Sequence, residues 1–209
     1  MADPPRPQHF SLIRSFVLAD VLTLGNAACG TTAILLCMTY VASPNPTALW
    51  TAFALLPAAF VVDALDGAVA RWRRRHSYLG ADLDSLSDIV SFGVAPAVLG
   101  FTLGFRGGWD GVVLVYFVAC GISRLARFNA TAASLADPSG KVRYFEGTPI
   151  PTSLALVVVL AAAAGQGAVG SALWLGEVML GPWRLHPLVL MYALSGSLMI
   201  SATLRVPKP

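Results

Sequence analysis

The chain is 209 residues long, 56% hydrophobic and only 12% charged, with a formal net charge of +3. Soluble domains carry about 25% charged residues, so this deficit, with apolar runs of roughly 20 residues, excludes an ordinary water-soluble globule and indicates a polytopic membrane protein. The basic residues cluster between the apolar runs and form no single surface, so the positive charge does not point to nucleic acid.

In chain order, Met1 to His9 is polar and Pro-rich and lacks the layout of a signal peptide. From His9 to Ala19, the apolar Phe10, Leu12, Ile13, Phe16 and Val17 oppose His9, Ser11, Arg14 and Ser15. That pattern predicts an amphipathic helix lying in the membrane interface. Six transmembrane helices are then expected at Val21–Val41, Ala48–Val69, Leu83–Leu103, Gly111–Phe128, Pro151–Gly170 and Pro187–Leu204. Pro44 and Pro46, Gly107-Gly108, and Asp137-Pro138-Ser139-Gly140 supply the breaks between them. The expected architecture is all-α, one domain over 1–209, with 1–20 as tail and juxtamembrane helix. Cys29, Cys37 and Cys120 lie in apolar runs without metal spacing and read as buried structural thiols.

Charge sets the orientation. Arg6 and Arg14 precede the first span, and Arg71, Arg73, Arg74 and Arg75 follow the second. Arg124, Arg127, Lys141 and Arg143 end or follow the fourth, and Arg205 and Lys208 follow the sixth, against only Arg106 and Arg184 on the other side. The positive-inside rule then places both termini in the cytoplasm, as six spans require.

Four carboxylates break the apolar pattern: Asp63, Asp66, Asp84 and Asp88. Ionised groups at membrane depth cost several kcal/mol unless paired or metal-bound, so they mark a functional site. Spacings of three and four residues share a helix face. Two such helices side by side would offer four hard oxygen ligands, suited to Mg2+ or Mn2+. Gly67 and Ala70 share the face of Asp63 and Asp66 and leave room for a planar ligand or a neighbouring backbone. Arg71, at the helix end, is placed to meet a phosphate. Asp82 points to another face and reads as a loop or cap residue.

The full spacing, Asp-x2-Asp-Gly-x2-Ala-Arg-x8-Gly-x3-Asp-x3-Asp from Asp63 to Asp88, resembles the signature of the CDP-alcohol phosphatidyltransferase family. The segments around Ser91-Phe92-Gly93, Arg124-Leu-Ala-Arg127-Phe128-Asn129 and Tyr144-Phe145-Glu146-Gly147-Thr148-Pro149, with Thr23, Asn26 and Gly30 in the first span, are similar to the membrane-embedded branch whose acceptor is L-serine. The resemblance runs from about Leu22 to Thr152. It implies metal-dependent transfer of a phosphatidyl group from CDP-diacylglycerol to L-serine, with release of CMP. It further implies two Mg2+ or Mn2+ ions, a homodimer and contact with membrane lipids. By the same resemblance, Asp63, Asp66 and Asp84 hold the metal. Asp88 helps hold a second ion or acts as the catalytic base. Asp63, Asp66, Gly67, Ala70 and Arg71 line the CDP site. The expected location is a bacterial inner (plasma) membrane, with the site facing the cytoplasm.

Other polar residues keep two readings. Arg124 and Arg127 share a helix face, with Asn129 nearby; all three are candidate serine or phosphate contacts, unless the arginines snorkel to lipid headgroups. Asn26 is either a helix–helix hydrogen bond or a CDP contact. Pro149 and Pro151 are expected to start the fifth span. His76 reads as an interface residue, and His9 and His186 have no catalytic neighbours in the sequence. A direct attack by the serine hydroxyl needs no covalent intermediate, and positioning is expected to supply more of the rate than proton transfer. Two alternatives stand beside this reading: another small alcohol acceptor (glycerol 3-phosphate, inositol, choline), or a divalent-cation transporter, which would need a polar pathway to the outer side.

Overall fold

Apolar runs free of internal turn signals form long rods, because a backbone in hydrocarbon must satisfy its own hydrogen bonds. The computed structural model describes residues 18–73, 80–132, 144–201 and 205–207, with side chains placed for 20–69, 80–130 and 147–201. Helix α1 spans Leu18–Ala42 and α2 spans Pro46–Arg73, with Pro57 inside it. A third rod comprises α3 (Gly80–Asp88), a π-helical segment (Ile89–Val94) and α4 (Ala95–Leu103). Helix α5 spans Gly108–Ala132. These make four candidate membrane spans, Asp20–Ala42, Pro46–Val69, Gly80–Leu103 and Gly108–Ala130. At 1.5 Å per residue each is about 35 Å long, enough for a hydrocarbon core of about 30 Å.

The last two apolar helices are shorter than the sequence suggests. A 3-10 turn, Ile150–Ser153, leads into α6 (Leu154–Gly165), and another, Pro187–Val189, leads into α7 (Leu190–Ile200). Pro149 and Pro151 do stand at the start of the first of these. The expected fifth span to Gly170 stops early because Gly167 turns the chain at φ 73°. The expected sixth span to Leu204 stops because Ser201 leaves the helix with extended ψ of 124°.

The fold is helical with two small antiparallel ribbons that periodicity does not announce. Strand β1 (Tyr144–Glu146) pairs with β4 (Arg205–Pro207), and β2 (Val178–Leu180) pairs with β3 (Trp183–Leu185). Three-residue strands carry too little alternation to be read. Gly147, just after β1, has φ 75°, and a Cβ there would overlap the Met199 carbonyl. Only glycine lets the chain pass so close to the end of α7.

The interior is filled by Leu56, Phe92, Leu99, Leu103, Leu160 and Tyr192, all fully buried. The Tyr192 hydroxyl donates to the Pro96 carbonyl at 2.6 Å. Large apolar side chains such as Val115, Val158 and Leu194 lie outside, as lipid-facing helices require. Cys37 and Cys120 are buried and Cys29 half-buried, all as free thiols. The interfacial helix expected from His9, and Arg74, Arg75, His76, Lys141, Arg143 and Lys208, lie outside the described residues, as do the side chains of Ala70 and Arg71.

Candidate active site

Antiparallel rods bring the end of α2 beside the start of α3. The i, i+3 pair Asp63 and Asp66 thereby meets Asp84. One carboxylate oxygen from each of these three residues lies within 4.8 Å of the others. Asp66 is buried, and Asp63 and Asp84 are half-buried. Asp88, one turn further along α3 and buried, stands outside this trio but within electrostatic reach of all three.

Helix α1 closes the site from behind. The Thr23 hydroxyl donates to Asp66 Oδ2 at 2.6 Å. Asn26 Nδ2 donates to Asp88 Oδ1 at 3.3 Å, so Asn26 makes the helix–helix bond that was one of its two readings. The Asn26 carbonyl accepts from Ser91 Oγ at 2.9 Å. Ser91 sits in the π-helical segment immediately after Asp88, and such segments recur at functional sites.

Helix α5 forms the third wall. Arg124 is half-buried, lies within electrostatic reach of Asp88, and has a buried Nε with no hydrogen-bond partner among the described residues. Arg127 is half-buried on the same face. Asn129 is engaged elsewhere: its Nδ2 donates to Ser85 Oγ at 3.0 Å, across to α3. That pair and Asp82 edge a groove of about 410 Å3 whose other walls are Leu86, Ile89, Ile122 and Leu125. Asp82 is exposed in the first turn of α3, away from the trio, where a carboxylate suits the helix dipole.

A sequence model of the family described as CDP-alcohol phosphatidyltransferase matches residues 16–183. The chain belongs to that family. Among its relatives, a CDP-diacylglycerol–serine O-phosphatidyltransferase of Saccharomyces cerevisiae is 40% identical over 209 residues, covering 96% of this chain and 74% of the relative. Proteins of the same name from Mycobacterium leprae and Methanocaldococcus jannaschii are 33% and 36% identical. They align with 85% and 71% of this chain and 57% and 62% of their own lengths.

The trio suits the divalent cation on which this family depends. Ligand oxygens around Mg2+, at about 2.1 Å from it, lie at most about 4.2 Å apart, so small side-chain rotations close a 4.8 Å cluster. The donors are all hard oxygens, the type that Mg2+ and Mn2+ select. Thr23 is the residue whose role the carboxylate motif does not reveal: its position three before Asn26 is the only local signal, and its partner is 43 residues away. His186 also has a partner hidden from the sequence. Its Nδ1 lies 2.6 Å from Asp110 Oδ2, and Asp110 also accepts from the backbone N–H of Gly107 and of His186, each at 2.8 Å. That cluster sits at the opposite ends of the rods.

Proposed function

We propose that this protein transfers the phosphatidyl group of CDP-diacylglycerol to L-serine, forming phosphatidylserine and CMP. The observation that carries the reading is the convergence of Asp63, Asp66 and Asp84 beside Asp88 at one end of apolar rods. The relatives reported above, named for that reaction and aligned over 71–96% of this chain, support the choice of acceptor. Asp63, Asp66 and Asp84 would hold Mg2+ or Mn2+, with Asp88 beside them as the base. Bound there, the cation neutralises diphosphate charge and stabilises the leaving phosphate.

The chain's own groups then have distinct tasks. Asp88 has Oδ1 engaged by Asn26, which leaves Oδ2 to take the serine hydroxyl proton. The serine oxygen attacks the phosphorus that bears diacylglycerol, a new P–O bond forms, and the bond to the CMP phosphate breaks. Gly67, without a side chain, leaves space along the Asp63–Asp66 face for the nucleotide, and Arg71 at the end of α2 is the cation assigned to its phosphate. Arg124, whose Nε is unbonded among the described residues, is assigned to the serine carboxylate.

The same reading takes α6 and α7, with their flanking turns, as fifth and sixth spans. Both termini and the carboxylates then face the cytoplasm, and two copies pair in the membrane. A cation transporter fits less well, because fully buried Leu56, Phe92, Leu99 and Leu103 fill the rods between the carboxylates and the Asp110 end.

The test is CMP release by purified protein given CDP-diacylglycerol and Mn2+ or Mg2+, with L-serine, glycerol 3-phosphate, inositol, choline or no acceptor. Serine-dependent release that EDTA stops is expected. Release with a different acceptor would overturn the serine assignment and keep the phosphatidyl chemistry.

A further inference from the structure

Helix α1 contributes none of the four carboxylates, yet it reaches two of them. Asp20, Thr23 and Asn26 recur every three residues and form one polar stripe on an apolar rod. All three are buried, at 2%, 4% and 0% exposure. A threonine in a membrane helix ordinarily returns its hydroxyl proton to the carbonyl one turn back. Thr39, Thr51 and Thr102 do so here, to Leu35, Thr47 and Val98. The Thr23 hydroxyl meets a carboxylate on another helix, donating to Asp66.

Asn26 is fixed on two sides, by Ser91 at its carbonyl and by Asp88 at its amide nitrogen. Its Oδ1 is buried and makes no hydrogen bond among the described residues, so the side chain's one bond is the one to Asp88. Gly30, one turn further on, permits this approach. A Cβ there would come within 2.7 Å of the Ser91 Cα. The backbones of α1 and the π-helical segment therefore meet at the level where Asn26 and Asp88 bond.

We propose that α1 is the positioning element of the site and divides its carboxylates into two kinds. Thr23 locks Asp66 into the cation-holding trio. Asn26 holds Asp88 outside the trio by one oxygen and keeps the other turned to the acceptor. The role of Asn26 rests on the transfer reaction proposed above, whereas that of Thr23 rests only on cation binding. Partners behind metal ligands tune affinity by about 10–100-fold, so both effects are large enough to measure.

The experiment is a Mn2+ titration followed by electron paramagnetic resonance, run beside serine-dependent CMP release on the same detergent-purified protein. Thr23→Val removes the hydroxyl at constant shape and is expected to weaken Mn2+ binding about tenfold or more, with Thr23→Ser restoring it. Asn26→Leu is expected to keep Mn2+ affinity within about twofold while kcat at saturating Mn2+ falls about tenfold and the KM for CDP-diacylglycerol holds. Thermal unfolding checks that each variant is folded, and Asn26→Ser replaces Asn26→Leu if the latter is not. Unchanged Mn2+ binding in Thr23→Val overturns the role of Thr23. A loss of Mn2+ binding in the Asn26 variant as large as in Thr23→Val overturns the division. If the parent binds Mn2+ but releases no CMP with any acceptor, the transfer reaction and the role of Asn26 fall with it. The Thr23 titration still decides the cation-positioning half.

Discussion

The two ends of the rods use aspartate in opposite ways. At the end that the proposed orientation makes the outer one, Asp110 is fully buried and fully answered: two backbone N–H groups and the His186 ring all meet its two oxygens. At the other end, which it makes the inner one, Asp63, Asp66, Asp84 and Asp88 face one another, and among the described residues the side-chain donors bonded to them are Thr23 and Asn26. A satisfied buried carboxylate ties a structure together. A cluster of mutually repelling ones weakens it and persists where function requires it. The same residue type is a structural bond at one end and a site at the other, and the difference lies in what surrounds it.

Substitution of the inner carboxylates has the largest expected effect. Asp63→Asn, Asp66→Asn, Asp84→Asn and Asp88→Asn are each expected to lower turnover by at least about 100-fold, since even the outer partners of metal ligands are worth 10–100-fold. Each removes one of several like charges, so without divalent cation the midpoint of thermal unfolding is expected to rise. Mn2+ should raise the midpoint of the parent and have little effect on the Asp63, Asp66 and Asp84 variants. Full activity in two or more variants, or a fall in cation-free stability across the set, would contradict the division drawn here.

The outer end should respond with the opposite sign. Asp110→Ala leaves the N–H groups of Gly107 and His186 and the His186 ring without their acceptor, in a place where none of them reaches water easily. Orphaned buried donors cost about 1–3 kcal/mol each, so a loss of roughly 3 kcal/mol is expected. Thermal unfolding in detergent reads this directly. CMP release per folded molecule should stay within about twofold, because the length of α5 from Asp110 to Arg124, roughly 20 Å, separates the cluster from the wall that faces Asp88.

How far the sequence could be read differs between these ends for a physical reason. The inner end was legible because its carboxylates stand in two short i, i+3 and i, i+4 pairs, where local spacing alone sets a shared face. The four long rods were legible because apolar length is a local property. Asp110 and His186 are 76 residues apart, and neither spacing nor hydropathy connects them. Thr23 and Asp66 are likewise joined only by packing, across 43 residues. The early ends of α6 and α7 escaped because apolar residues continue past the points where Gly167 and Ser201 turn the chain. The small ribbons escaped because a three-residue strand has no period to detect.

A smaller effect sharpens the boundary of the inner site. Arg124 has a buried Nε without a partner among the described residues, on the wall that faces Asp88. Arg124→Ala is expected to raise the KM for serine about tenfold, the scale of one charge-assisted hydrogen bond of roughly 1.5–3 kcal/mol. The KM for CDP-diacylglycerol should move much less. Equal shifts for both substrates would make Arg124 a general support of the wall and remove it from the acceptor site.

The smallest effect belongs to the edge of the outer cluster. Arg184 Nη1 and Glu177 Oε2 are 3.3 Å apart, but their side chains are 55% and 51% exposed. Exposed pairs are worth about 0–1 kcal/mol, because water screens them and two long side chains must be ordered. Glu177→Gln is therefore expected to shift thermal unfolding by no more than about 2 °C, with most of that difference gone at high salt. Glu177 also lies 3.8 Å from His186 Nε2, on the side of the ring away from Asp110. A loss comparable to that of Asp110→Ala would mean that Glu177 and Asp110 grip the imidazole together, and that the outer clasp extends into the exposed hairpin of β2 and β3.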